Sequence, residues 1–171
     1  MAVERLDTDL DGLPVEPRSE ERDLSLPPHD VRAEEAVLGS VLKHPASIVR
    51  VSDFLKPEDF YNQRHRHIFH AMLTLFAEGK PIDYYTIDDT LFQQGTRDAS
   101  GGMLYLSELN LGTPSAAYIV DYGRIVERTS IMRQLISKAQ TISEIAYRDN
   151  LDPDTALEKA EQLIQIGRAH V

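Results

Sequence analysis

His65, His67 and His70 are the first side chains of this sequence that could do chemistry, because imidazoles so closely spaced invite a metal ion. On a helix, however, His65 and His67 point about 200° apart, which leaves His67 and His70 as the one adjacent pair. A zinc site takes at least three protein ligands, and no third stands at helical spacing from that pair. The cluster therefore reads as a partly exposed basic patch with Arg64 and Arg66, and no metal is expected. The second candidate is Gly79-Lys80, the one Gly-Lys pair of the chain. A phosphate-binding loop needs G-x-x-x-x-G-K-[ST], whereas here Thr74 stands at the first glycine position and Pro81 follows the lysine. No cofactor is expected in this chain, and it should not hydrolyse ATP alone. Cysteine is absent, which removes disulfides, thiolate metal sites and a cysteine nucleophile. No catalytic residue is expected. Tyr105 has the pattern of a core aromatic with its hydroxyl at the surface. Arg124, Glu127, Arg128 and Arg133 have the pattern of a solvated, charged helix face beside an apolar seam.

The elements that would position these residues are helical. Pro27 and Pro28 force an extended lead-in, after which His29 or Asp30 can cap a helix with Ala33, Val37 and Val41 stepping by four beside Leu38 and Leu42. A second short helix is expected after Pro45, carrying Ile48, Val49 and Val51, and another turn at Lys56-Pro57-Glu58. Residues 63–78 place Ile68, Phe69, Met72, Leu73, Leu75 and Phe76 at three- and four-residue intervals, and Gly79 ends that helix. Thr86 and Asp89 look like a capping box for a helix with Ile87, Leu91 and Phe92 that stops at Gly95. Gly101 and Gly102 precede a short helix on Leu104, Tyr105, Leu106 and Leu109. Thr113 is then expected to cap, and Pro114 to begin, a helix running to about Tyr147. At 1.5 Å per residue those roughly 33 residues reach about 50 Å, with a weak point at Gly123. Beyond it Met132, Leu135, Ile136, Ala139, Ile142 and Ala146 make a narrow seam. Asp152 caps and Pro153 starts a last helix whose Leu157, Ala160 and Ile164 offer a matching seam. Strand patterns are almost lacking, so the fold is predicted to be all-α: a compact multi-helix head, a long helix and an antiparallel helical hairpin.

The 171 residues suit one domain with appendages. Acidic side chains number 28 against 18 basic ones, for a net charge of −10. The stretch 1–26 holds eight acids and three arginines, half of that charge, and it is predicted to be a disordered acidic tail. The acidic body lacks the field that tight phosphate binding requires, so contact with DNA should be local and weak. No run approaches the ~18 apolar residues of a membrane span and no signal-peptide pattern opens the chain. A cytoplasmic location is expected. A hairpin with one apolar seam buries too little to be stable alone, which predicts self-association or a protein partner.

Three separated segments resemble one family in order and spacing: LPPHDVRAEEAVLGSVL (26–42), DFYNQRHRHIFHAML (59–73) and GGMLYLSELNLGTPSAAYIVDYGRIVER (101–128). They are similar to the N-terminal domain of the bacterial replicative DNA helicase, the DnaB family. Arg32 stands where that family usually has an acid, and Asn110, Leu111 and Gly112 replace a more polar turn. The resemblance implies a helical head over 27–114 and a collar-forming hairpin over 115–165, with 1–26 as the tail. It implies domains that pair into dimers and build the collar of a hexameric ring, docking of a DnaG-like primase, and weak contact with single-stranded DNA through the assembled ring. ATP and magnesium would belong to a C-terminal motor that these residues do not include. It also places Tyr105 on a surface important for primase binding, with Arg124, Glu127, Arg128 and Arg133 as further partner-binding candidates. The final IGRAHV, 166–171, departs from the family, matches the translation of a sequencing adapter and is expected to be non-native read-through. The alternative reading is a stand-alone adaptor that modulates a helicase, and the remote one is a helical metalloenzyme built on the histidines.

Overall fold

The structure, a computed structural model, describes residues 26–113, 115–148 and 151–166. All of the predicted tail except Leu26, and all of the predicted read-through except Ile166, lie outside these residues. Among the described residues there are helices and turns and no strand, as the all-α prediction requires. The order is α1 (Val31–Lys43), a 3-10 turn (Pro45–Arg50), a second 3-10 turn (Pro57–Asp59), α2 (Gln63–Ala77), α3 (Tyr84–Gln93), α4 (Arg97–Ser100), α5 (Gly102–Gly112), α6 (Ile119–Ala146) and α7 (Pro153–Ile166).

Asp30, the second of the two predicted caps, starts α1 by accepting the Ala33 N–H at 2.9 Å. Val37, Leu38 and Val41 of this helix share one buried apolar cluster with Ile68, Phe69 and Met72 of α2, Ile87 and Leu91 of α3, Leu106 and Leu109 of α5 and Ile119 and Val126 of α6, and α1 itself packs on α5, α6 and α2. Complete burial of side chains of this size stabilises by roughly 1.5–3 kcal/mol each. Gly39 makes the tightest of these contacts. A Cβ there would overlap the Thr113 side chain and the Leu109 carbonyl, so only glycine lets α1 and the end of α5 approach this closely. At the other end of α5, Gly101 adopts φ +83°, and a Cβ on it would meet Tyr105 at 2.9 Å. It ends α4 and begins α5 in the left-handed conformation that glycine takes without strain.

Several expectations change. The cap of α3 is Asp83, not Thr86: Asp83 Oδ1 accepts the N–H groups of Tyr85 and Thr86, and Thr86 Oγ1 accepts the Asp83 N–H in return. The box sits one turn earlier because Asp83, after Pro81, is the residue left in extended backbone. Thr113 closes α5 instead of opening the long helix. It precedes a proline, which disfavours helical backbone; its φ of −94° and ψ of 118° are extended, and its Oγ1 donates to the Leu109 carbonyl at 3.0 Å. The long helix starts at Ile119, after a turn in which Ser115 Oγ accepts the Ala117 N–H. Gly123 is no hinge. It is buried in a continuous helix, and an added Cβ would sit 3.1 Å from the Phe54 ring and 3.2 Å from Val51. Phe92 and Leu104, counted in the apolar pattern of their helices, face solvent, because the buried stripes of those helices run through Leu91 and Leu106.

α6 belongs to two environments. Ile119, Gly123, Val126 and Ser130 are buried in the head, whereas beyond residue 130 the helix leaves it and α7 packs back along it. Gly39→Val should cost about 1–3 kcal/mol by overpacking the α1–α5 contact. Urea denaturation measures this as a lower transition midpoint at unchanged slope; an unchanged midpoint would show that the contact can relax.

Candidate functional site

A buried polar string, Glu34–His65–Tyr105, runs through the head, and sequence reasoning missed it. Glu34 of α1 is fully buried, yet its Oε1 accepts the Tyr61 N–H at 2.5 Å and its Oε2 accepts the Asn62 N–H at 3.2 Å. It thereby satisfies two backbone donors of the turn that leads into α2. His65, also fully buried, presents Nδ1 to Glu34 Oε2 at 2.7 Å and Nε2 to the Tyr105 hydroxyl at 2.7 Å. A carboxylate only accepts, so Nδ1 carries a proton, and in the neutral ring Nε2 accepts from the Tyr105 hydroxyl. His65 is therefore not part of an exposed basic patch. It is a core residue that ties α1, α2 and α5 together, whereas His67 is half-buried and His70 exposed.

Tyr105 points its hydroxyl inward to that string and not to the surface. Its ring is covered by the Arg64 guanidinium at 4.3 Å and stacks beside His65. Burial pushes the Tyr105 phenol above its ordinary 10.0, Glu35 adds to the rise, and Arg64 opposes it. The other edge of Tyr105 lines an open groove of about 520 Å³ between α1, α5 and α6, together with Arg32, Glu35, Glu108 and Tyr122.

The five residues singled out from the sequence are not brought together. Arg124 is exposed, lies over the Phe54 ring at 3.9 Å and pairs with Glu127 at 2.8 Å, a surface pair worth at most about 1 kcal/mol. Arg128 is exposed on the same helix. Arg133 is half-buried: its Nη1 donates to the Pro28 carbonyl at 2.8 Å and its Nη2 to the Asp59 carbonyl. Burial lowers its pKa from the usual arginine value, with Glu34 opposing and Arg66 reinforcing the shift.

The hairpin carries an unpartnered apolar surface. Ile142 and Ile145 of α6, with Leu151, Ala156, Ala160 and Leu163, are half-buried or buried where the two helices meet. Met132, Leu135 and Ile136 of α6 and Leu157 and Ile164 of α7 remain 44–63% exposed. The predicted α7 seam thus divides: Ala160 turns inward, and Leu157 and Ile164, seven residues apart, share an outer face. Spacings of three and four set Met132, Leu135, Ile136 and Ala139 on one stripe.

Residues 26–128 match the DnaB-like helicase N-terminal domain. The chain belongs to that family. It is 41% identical over 139 residues to the replicative DNA helicase DnaB of Geobacillus stearothermophilus, covering 81% of this chain and 31% of the relative. It is 37% identical over 139 residues to the replicative DNA helicase DnaC of Bacillus subtilis, with the same two coverages. The chain spans about a third of the length of these curated relatives. Among solved structures, the N-terminal domain of DnaB helicase from Mycobacterium tuberculosis superposes with a TM-score of 0.78 at 30% identity, over 82% of this chain and 99% of that one. A DnaB-like replicative helicase studied with its interactions with primase gives a TM-score of 0.65 at 27% identity, over 80% of this chain and 31% of that one.

Two measurements probe the buried string of this DnaB-family domain. Glu34→Ala leaves His65 and two backbone donors without an acceptor and should cost about 3–5 kcal/mol in chemical denaturation; a loss under about 1 kcal/mol would show that water replaces the carboxylate. The folded pKa of Tyr105 lies above the unfolded one, so its contribution to stability is complete below pH 10 and is lost as pH rises through the folded value. Phenolate absorbance of the parent minus that of Tyr105→Phe should isolate one tyrosine titrating above pH 10. A component at or below pH 10 contradicts the assignment.

Proposed function

We propose that this is the collar-forming, primase-docking N-terminal domain of a replicative DNA helicase. The single observation that carries the reading is the exposed stripe Met132, Leu135 and Ile136 with Leu157 and Ile164, on a hairpin that projects from the head with only its own two helices to cover it. Apolar side chains repeated along one helix face and left in water gain roughly 25 cal/mol per Å² when another surface covers them, and such patches mark protein interfaces. A second copy of the hairpin meets the stripe with the same chemistry. Pairing of domains in this way would build dimers and, with a motor attached, the collar of a hexameric ring.

The primase partner is supported by the likeness to a DnaB-like helicase whose interactions with primase were determined, and the head offers the Tyr105 groove with Arg124, Glu127 and Arg128 on the adjoining helix as candidate contacts. Unwinding of duplex DNA, with ATP and magnesium, is placed in a C-terminal motor of the kind the much longer relatives have room for. The net charge of −10 argues that this domain meets single-stranded DNA weakly and only as part of an assembled ring. No described helix is long and apolar enough to cross a membrane, and a role in DNA replication favours a cytoplasmic location.

Light scattering of the chain, with and without the C-terminal domain of a DnaG-like primase, tests this reading. The expected mass is a dimer or larger, increasing on addition of primase, and Leu135→Asp with Ile136→Asp should return it to a monomer at unchanged helical content. A strict monomer that ignores primase would overturn it.

A further inference from the structure

α6 leaves the head at one place, and Arg133 stands there. Through Ser130 the helix buries side chains against the head; of the residues from 131 to 140 only Arg133 and Lys138 are half-buried, and the rest are exposed. The Arg133 guanidinium reaches two main-chain carbonyls that belong to different segments, Pro28 and Asp59, and lies 5.7 Å from the Tyr61 ring. One turn earlier Ser130 Oγ donates to Asp59 Oδ1 at 2.7 Å, while Asp59 Oδ2 accepts the Lys56 N–H at 2.8 Å. The Pro28 side of the clasp is itself held down, because the His29 ring stacks on Tyr61 at 4.4 Å and 18°. Three pieces of chain, the lead-in at 27–29, the Pro57–Asp59 turn and α6, therefore converge on one side chain.

A guanidinium offers its N–H groups in a rigid planar fork, so satisfying two carbonyls at once fixes orientation as well as distance. An ammonium is a point donor and does not. The lever is long: about 16 residues of α6 continue past Ser130, roughly 24 Å at 1.5 Å per residue, so a tilt of about 10° at the base moves the tip by about 4 Å. A displacement of that size is most of a helix turn, enough to put a repeating stripe out of register with its counterpart.

We propose that Arg133 is the positioning residue of the hairpin, buckling the lead-in at 27–29 and the Pro57–Asp59 turn to α6 where that helix leaves the head, and so setting the direction in which the apolar stripe is presented. Sequence reasoning placed Arg133 among partner contacts; the clasp assigns it to the inside of its own molecule. Its consequence for self-association rests on the collar reading, whereas the direction of the hairpin within one chain does not.

The absence of cysteine allows nitroxide labels at Gln93→Cys on the head and Glu158→Cys on α7, both exposed. Double electron–electron resonance, with labelled chains diluted into unlabelled ones, reads the distance within one molecule. The otherwise unaltered chain should give one narrow distribution. Arg133→Lys, which keeps the charge and loses the fork, should widen it at least twofold at unchanged circular dichroism, as should a chain that begins at Asp30 and lacks the lead-in at 27–29. Parent width in the Arg133→Lys protein overturns the proposal, as does parent width in the shortened chain if that chain retains its helical content. Light scattering on the same samples separates this from the collar reading: a monomeric parent contradicts the collar, and the intramolecular distance still decides the clasp.

Discussion

A single helix packs into the head over its first half and leaves it over its second, and the rest of the molecule is arranged around that division. The first half of α6 supplies Ile119 and Val126 to the head and brings Gly123 against Phe54. The second half has only α7 for company. Two helices in contact along one line cover only the residues between them, here Ile142 and Ile145 with Ala156, Ala160 and Leu163. What is left over is a set of apolar side chains in water, a state that association relieves.

The head meets the opposite requirement, rigidity, with a polar solution inside an apolar core. Glu34 would be costly in such a place if it were unpaired. It is instead surrounded by two backbone donors and an imidazole, and the imidazole is in turn held by Tyr105. The string fixes how α1, α2 and α5 meet, and its outer member is a wall of the groove between α1, α5 and α6. A short path of contacts leads from that groove through His65 and Glu34 to Tyr61, which lies under the Arg133 clasp.

Helix existence was legible in the sequence because apolar spacings of three and four are strong along α1, α2 and α6, and the stop signals at Gly79 and Gly95 fall where α2 and α3 end. Boundaries were less so. Thr113-Pro114 carries the signature of a helix start and the structure uses its threonine as a stop, since the backbone before a proline is extended in either case. The site was legible in part. Family motifs led to Tyr105, and periodicity led to Met132, Leu135 and Ile136, but Glu34 and His65 were passed over. Each occupies a position on an apolar stripe, Glu34 three and four residues before Val37 and Leu38, His65 three and four before Ile68 and Phe69. A charged or titratable residue at such a position is the signal of a satisfied buried partner. The partnership itself spans 31 positions, beyond what local spacing reports. Arg133 was assigned outward for the same reason: its acceptors are carbonyls of Pro28 and Asp59, more than a hundred and more than seventy residues away, and backbone acceptors leave no mark in a sequence.

The central claim is that a second copy covers the stripe on the hairpin. Met132 reports on it directly, because its thioether is exposed in the single chain, and Met72 in the sealed core serves as an internal reference. The rate of peroxide oxidation at each methionine, measured by peptide mass spectrometry over a range of protein concentrations, reads the cover. The account predicts that Met132 is oxidised readily in dilute solution and becomes protected as concentration rises, while Met72 stays unreactive throughout. Equal reactivity of Met132 at the highest and lowest concentrations, with the protein folded, would contradict it.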